Sequence, residues 1–217
     1  MTEVLSTTIG DLPLEEVQLS IGDRAWSILH TGALINVEDE IEFLQGLSQT
    51  KRPYGLALWP SSIALAHDLA ARDLRGKRVL ELGAGTGLPG IVAASLGARV
   101  VQTDRQKVAL HVSKLNAERN RVELEQRVAD WTAWSETEQF DLIVGSDILY
   151  AKELHPAILA ILERNLAPGG VAVIADPARP SSLIFLDALQ QAGWRVAFDK
   201  WNLGEPPRPV GVYTLTH

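Results

Sequence analysis

From about Arg78 onward, short β-branched runs alternate with stretches whose apolar residues recur at helical spacing. RVLEL (78–82), ARVVQT (98–103), RVA (127–129), FDLIVGS (140–146) and GVAVIA (170–175) read as strands, and the regions near 89–97, 106–119, 152–166 and 181–192 as helices. These strands are apolar on both faces, which predicts a parallel sheet covered by helices on both sides. The end of the chain breaks the alternation. WRVAFDK (194–200) and VGVYTLT (210–216) are joined by the Gly/Pro-rich NLGEPPRP with no helix between them, so they are expected to pair antiparallel. The expected class is α/β, a mostly parallel sheet closed by an antiparallel C-terminal hairpin.

Upstream, ALWPSSIALAHDLAAR (57–72) has the spacing of an amphipathic helix, with Ser61 or Ser62 near its start and Arg72, Arg75 and Lys77 at or beyond its end, where cations suit the helix dipole. Residues 15–50 carry the strand-like VQLSI and WSILH and then the acidic NVEDEIEF. No internal repeat or biased linker appears, so the expected organisation is an N-terminal extension (1–50) packing on one domain (51–217).

Composition narrows the chemistry. The 217 residues are 46% apolar and 22% charged, enough for a single core without metal or disulfide staples. Zero cysteines remove thiolate catalysis, Cys-ligated zinc and iron–sulfur clusters. A net charge of −7 without a long basic stripe argues against nucleic-acid binding. No apolar run approaches the ~20 residues of a membrane span, and the start lacks a signal peptide, so a cytoplasmic protein that does not engage membranes is expected. No histidine pair has metal-ligand spacing, and no metal is expected.

After the first parallel strand comes Glu81-Leu-Gly83-Ala84-Gly85-Thr86-Gly87-Leu-Pro89-Gly90. Glycines allow positive φ and close approach of a ligand to the backbone, while proline suits the first turn of the following helix. Gly85-x-Gly87-x-x-Gly90 also matches the dinucleotide fingerprint. Charge separates the two readings: a Glu81 carboxylate would oppose a diphosphate but favour the ammonium or sulfonium of S-adenosyl-L-methionine. Asp104, about 20 residues past the loop, ends the second strand, where a carboxylate can accept from ribose hydroxyls or cap the next helix. Asp130 and Trp131 follow the third strand, where they could complete an adenine pocket or form a surface turn.

Taken together, these residues resemble class I S-adenosylmethionine-dependent methyltransferases, and within them the seven-strand protein-lysine methyltransferase-like group known as family 16. The class resemblance rests on VLELGAGTG (79–87), on Asp104 and on the final hairpin; the narrower one rests on YGLALWPSSIALA (54–66), VADW (128–131) and SDILY (146–150). The resemblance implies a Rossmann-like seven-stranded sheet. It also implies S-adenosyl-L-methionine as cofactor, with S-adenosyl-L-homocysteine as product. Trp59, Glu81, Gly83, Ala84, Gly85, Thr86, Gly87, Asp104, Asp130 and Trp131 are the implied cofactor residues. Asp147 and Tyr150 match the family's DxxY element, placed where the methyl-accepting amine enters, and Asp176-Pro-Ala-Arg179-Pro looks like a substrate-side loop.

The implied substrate is a lysine on a protein, and the enzyme is expected to act as a monomer. A nearby carboxylate favours the charged amine, so Asp147 is expected to capture and orient the acceptor rather than act as a strong base. A small-molecule N- or O-methyltransferase on the same scaffold, a catalytically silent interaction module and a nucleotide-dependent oxidoreductase are the competing readings. Segment 30–55 is the candidate lid or groove wall.

Overall fold

The computed structural model describes residues 3–7, 10–31, 54–203 and 207–217. Segment 30–55, the candidate lid or groove wall, lies mostly within residues 32–53, outside those described, and its acidic stretch lies wholly there. A seven-stranded sheet is built from β4 (Arg78–Leu82), β5 (Arg99–Asp104), β6 (Glu125–Val128), β7 (Phe140–Ser146), β8 (Leu166–Asp176), β9 (Arg195–Leu203) and β10 (Arg208–Thr216). Its order is β6-β5-β4-β7-β8-β10-β9. The first five strands run parallel, while β10 pairs antiparallel with both β8 and β9. Strand order reverses between β4 and β7, the switch point where open α/β sheets form a crevice beyond their carboxyl ends.

Alternate residues of each central strand face opposite layers. Val79, Val100, Val144 and Val173 pack with α1 (Pro60–Ala70) and α2 (Leu88–Ser95). Leu80, Val101, Ile143 and Ile174 pack on the other side with α4 (His155–Asn165) and α5 (Pro180–Gln191). Helices therefore cover both faces. Pro60, Pro89, His155-Pro156 and Pro180 stand at the starts of four of these helices, where a missing N–H costs nothing.

Several strands differ in extent from the sequence expectation. Strand β8 begins at Leu166, directly after α4, rather than at Gly170. At this join the buried Asn165 is tied to the segment before β7: its Nδ2 donates to the carbonyls of Glu136 and Glu138 (3.0 and 2.7 Å), and its Oδ1 accepts from Trp134 Nε1 (2.9 Å). The N-terminal strands are also longer than VQLSI and WSILH. β1 (Glu3–Thr7), β2 (Gly10–Ile21) and β3 (Arg24–His30) form a separate antiparallel sheet. Leu14 and Leu29 of this sheet join Leu56 and the α3 (Lys107–Arg119) residues Ala109 and Val112 in a third apolar cluster. Among the described residues, no helix is long and apolar enough to cross a membrane.

Candidate active site

The glycine loop leaves β4 and enters α2 with Gly83, Gly85 and Gly87 all at positive φ (68°, 53° and 81°). At Gly85 a Cβ would stand 2.9 Å from the Gly55 carbonyl oxygen, and at Gly87 it would collide with the Ser113 hydroxyl. Neither position can carry a side chain without moving its neighbours. Polar groups of the sheet and α3 hold the loop in place. Ala84 N–H donates to Thr103 O (2.9 Å), Gly85 N–H to Asp104 Oδ2 (3.1 Å), Gln102 Nε2 to Gly87 O (2.9 Å) and Asn116 Nδ2 to Thr86 O (2.9 Å).

Glu81 departs from the expectation that its carboxylate faces the ligand. Its side chain lies beneath the bend and does not line the cavity described below. Oε2 accepts from Gln102 Nε2 at 2.7 Å, and the Gly90 backbone N–H also donates to the carboxyl. Burial dominates, pushing its pKa up to about 8, with smaller opposing effects from those two donors. The group is mostly uncharged at neutral pH. The physical reason is strand parity: Glu81 shares a face with Val79, so it points under α2.

A cavity of about 430 Å³ opens above the loop, a size suited to a cofactor. The loop residues Gly83, Ala84, Gly85 and Thr86 line it, whereas Gly87 serves as the N-cap of α2. Gly83 sits between Ile148 and Trp131, with a hypothetical Cβ only 3.1 Å from Ile148 Cγ2. Asp104 lines the cavity and has both alternatives realised: Oδ1 accepts from Gln106 N–H (2.8 Å) at the start of α3, and Oδ2 holds Gly85. Burial raises its pKa, against those backbone donors. Asp130 and Trp131 also reach the cavity. Asp130 Oδ1 accepts from the Thr132 backbone N–H and hydroxyl (2.9 and 2.7 Å), capping the 3-10 turn Trp131–Ala133 and lowering its own pKa.

The other end of the cavity holds a buried charge cluster. Arg179 Nη2 donates to Asp147 Oδ1 and Arg179 Nη1 to Asp176 Oδ2, both at 2.7 Å. Asp176 is 0% exposed, and Asp147 and Arg179 are each 9% exposed, so Arg179 is no solvent-facing turn residue. One guanidinium thus serves two carboxylates. Asp147 and Ala178 both adopt positive φ (54° and 61°), a strained backbone that the Asp147 N–H to Ala175 O bond (2.9 Å) helps to hold. Asp147 Oδ2 is buried and, among the described residues, has no partner at good hydrogen-bond geometry, although the Ser61 hydroxyl is close enough to the carboxyl to favour its ionised form. Desolvation pushes the Asp147 pKa up to about 7; Arg179 pulls it down and Asp176 adds to the rise.

Tyr150 stands 40% exposed at the same cavity, and Trp59 lines it under the Arg179 guanidinium, 5.9 Å from ring centroid to Cζ. Asp176 does not line the cavity and acts through Arg179. Sequence reasoning did not assign wall positions to Gly55, Ser62 and Ser146, which lie within quoted motifs, or to Arg105 and Gln106, which follow Asp104. Membership of those motifs, or adjacency to Asp104, was the available signal. The residues present fit S-adenosyl-L-methionine better than a diphosphate. Asp104, Asp130 and Asp147 bring three carboxyl groups to one cavity, against Arg105 and an Arg179 already engaged by two carboxylates.

The lysine methyltransferase family model matches residues 38–192, more than half of the chain and every site residue named above. The chain belongs to the lysine methyltransferase family. It is similar to protein N-lysine methyltransferase METTL21A of Danio rerio, with 40% identity over 140 residues, covering 59% of this chain and 63% of that one. It is also similar to EEF1A lysine methyltransferase 3 of Mus musculus (32% over 129 residues, 56% and 55% covered). A histone-arginine methyltransferase of the same species, METTL23, matches at 34% over 118 residues, covering 49% and 46%. The chain thus spans less than two thirds of the length of these curated relatives. Among solved structures, the N-methyltransferase NodS of Bradyrhizobium japonicum, bound to S-adenosyl-L-homocysteine, shares the fold with TM-score 0.61 and 19% identity, covering 80% and 96%.

Proposed function

We propose that this family member transfers a methyl group from S-adenosyl-L-methionine to a lysine amine of a protein. One observation carries the acceptor assignment: Asp147 lines the cavity, and its buried Oδ2 has no well-formed hydrogen bond among the described residues, with the Ser61 hydroxyl as the nearby donor to the carboxyl. A buried carboxylate oxygen without a well-formed hydrogen bond costs free energy unless a donor arrives, and an alkylammonium is a donor of matching charge. The donor assignment is supported by the family, the glycine loop and the acidic wall of the cavity. Asp104 and the Asp130–Trp131 turn are the residues that would hold its nucleoside, and the loop Gly83–Thr86 its amino-acid portion.

Bound in that place, S-adenosyl-L-methionine supplies an electrophilic methyl on a cationic sulfur and departs as S-adenosyl-L-homocysteine. The protein's task is to position the acceptor and remove water from around it. Arg179 fixes Asp147 through Oδ1, leaving Oδ2 to take one N–H of the amine, and Tyr150 walls the approach. A free lysine amine has a pKa of about 10.4, so bringing it to the neutral form at pH 7 costs roughly 4–5 kcal/mol. Asp147 works against neutralisation when ionised, but its own raised midpoint makes it a far better proton acceptor than an ordinary aspartate.

The test is to incubate the purified chain with methyl-tritiated S-adenosyl-L-methionine and cell extract, then hydrolyse the labelled protein. Label in methyllysine supports the reading. Label in methylarginine moves the acceptor class, and label confined to small metabolites removes the protein substrate.

A further inference from the structure

We propose that Asn116 is a positioning residue for the methyl-donor site, through which the N-terminal three-stranded sheet holds the glycine loop in its binding shape. This rests on reading that loop as the place of the methyl donor. Asn116 is fully buried on α3 and uses its whole amide. Oδ1 accepts from Leu29 N–H at 2.7 Å, while Nδ2 donates to Leu29 O at 3.0 Å and to Thr86 O at 2.9 Å. The side chain therefore acts as the next strand against the outer edge of β3 and, with the same amide, ties down a residue of the cavity wall.

A second contact from the end of the same sheet holds the segment that borders the loop. Thr31 N–H, just past β3, donates to Leu56 O at 3.0 Å, and Leu56 is fully buried in the cluster shared with Leu14 and Leu29. The adjoining Gly55 carbonyl is the group that a Cβ at Gly85 would strike. The N-terminal sheet thus bears on Thr86 through Asn116 and on Gly85 through the Leu56–Gly55 backbone. A loop with three positive-φ glycines has little rigidity of its own, so its preorganisation must come from such external contacts. Without Asn116 the Thr86 carbonyl would be buried and unpaired.

One helical turn further on, Asn120 supplies an internal control. It reads Ser27 of β3 in the same manner, Oδ1 accepting from Ser27 N–H (3.1 Å) and Nδ2 donating to Ser27 O (2.8 Å). Its side chain bonds no glycine-loop residue. The two asparagines therefore share the strand-anchoring role and differ in the loop contact.

The experiment measures S-adenosyl-L-homocysteine affinity by titration calorimetry and Tm for the parent chain, Asn116→Ala, Asn116→Asp and Asn120→Ala. Asn116→Asp keeps the acceptor for Leu29 N–H and loses the donor to Thr86, so it serves where the alanine variant does not fold. Both Asn116 variants are expected to bind about tenfold more weakly, the worth of one buried hydrogen bond. Asn120→Ala is expected to lose Tm while staying within about threefold of parental affinity. Parental affinity in the Asn116 variants, or an equal loss in Asn120→Ala, overturns the proposal alone. Failure of the parent chain to bind S-adenosyl-L-homocysteine overturns the methyl-donor reading and the proposal with it.

Discussion

Replacing Glu81 by glutamine tests whether its carboxyl is a neutral, structural group beneath the glycine loop. The substitution keeps size and removes the titration. Burial moves the Glu81 midpoint from 4.5 to about 8, which makes its ionisation in the folded state cost up to ~5 kcal/mol relative to the unfolded chain. The uncharged acid suits the site, so that part of the stability is fully present below pH 4.5. It is lost progressively as pH rises toward 8, because the unfolded chain ionises freely over that window and the folded chain does not. Urea unfolding at pH 5, 6, 7 and 8 should give the parent a falling stability and Glu81→Gln a shallower decline. The difference between them should widen with pH by several kcal/mol, while affinity for S-adenosyl-L-homocysteine stays within about threefold. Parallel stability curves would show that Glu81 ionises freely in the fold, and loss of ligand affinity would return it to the binding surface.

Three further outcomes follow from the same geometry. Arg179→Ala strands two buried carboxylates without their shared cation, and urea unfolding should show a loss of about 3–5 kcal/mol at pH 8. Gly85→Ala drives a Cβ against the Gly55 carbonyl from a left-handed backbone, so calorimetry should record at least about tenfold weaker S-adenosyl-L-homocysteine binding. Methyl transfer should rise between pH 6 and 8, because Asp147, with its midpoint pushed up to about 7, accepts the ammonium only when ionised. Initial rates across that range check it, and a rate that falls with pH would contradict it.

The central strands were legible because each carries apolar residues on both faces, as Val79–Leu80 and Ile143–Val144 do. β1 and the first half of β2 carry polar residues among the apolar ones and owe their extent to pairing across the N-terminal sheet, which no local periodicity reports. The site was legible wherever it follows a strand end, as at Gly83–Thr86, Asp104, Asp130 and Asp147. Glu81 lies inside its strand, where alternation with Leu80 and Leu82 already directs it under α2; proximity to the loop obscured that parity. The Arg179–Asp147 pair joins residues 32 apart in sequence. Only the parallel alignment of β7 and β8 brings them together, so spacing could not announce it.

The account turns on the Asp147 oxygen that Arg179 does not engage, and Asp147→Asn reaches it with the least disturbance. Methyl-tritium incorporation into protein from cell extract, read beside S-adenosyl-L-homocysteine binding, is the decisive pair of values. Loss of a buried charged contact to the acceptor should cut incorporation at least about 30-fold while ligand affinity stays within about threefold. Incorporation at the parental rate by a variant that still binds S-adenosyl-L-homocysteine would show that the amine is received elsewhere.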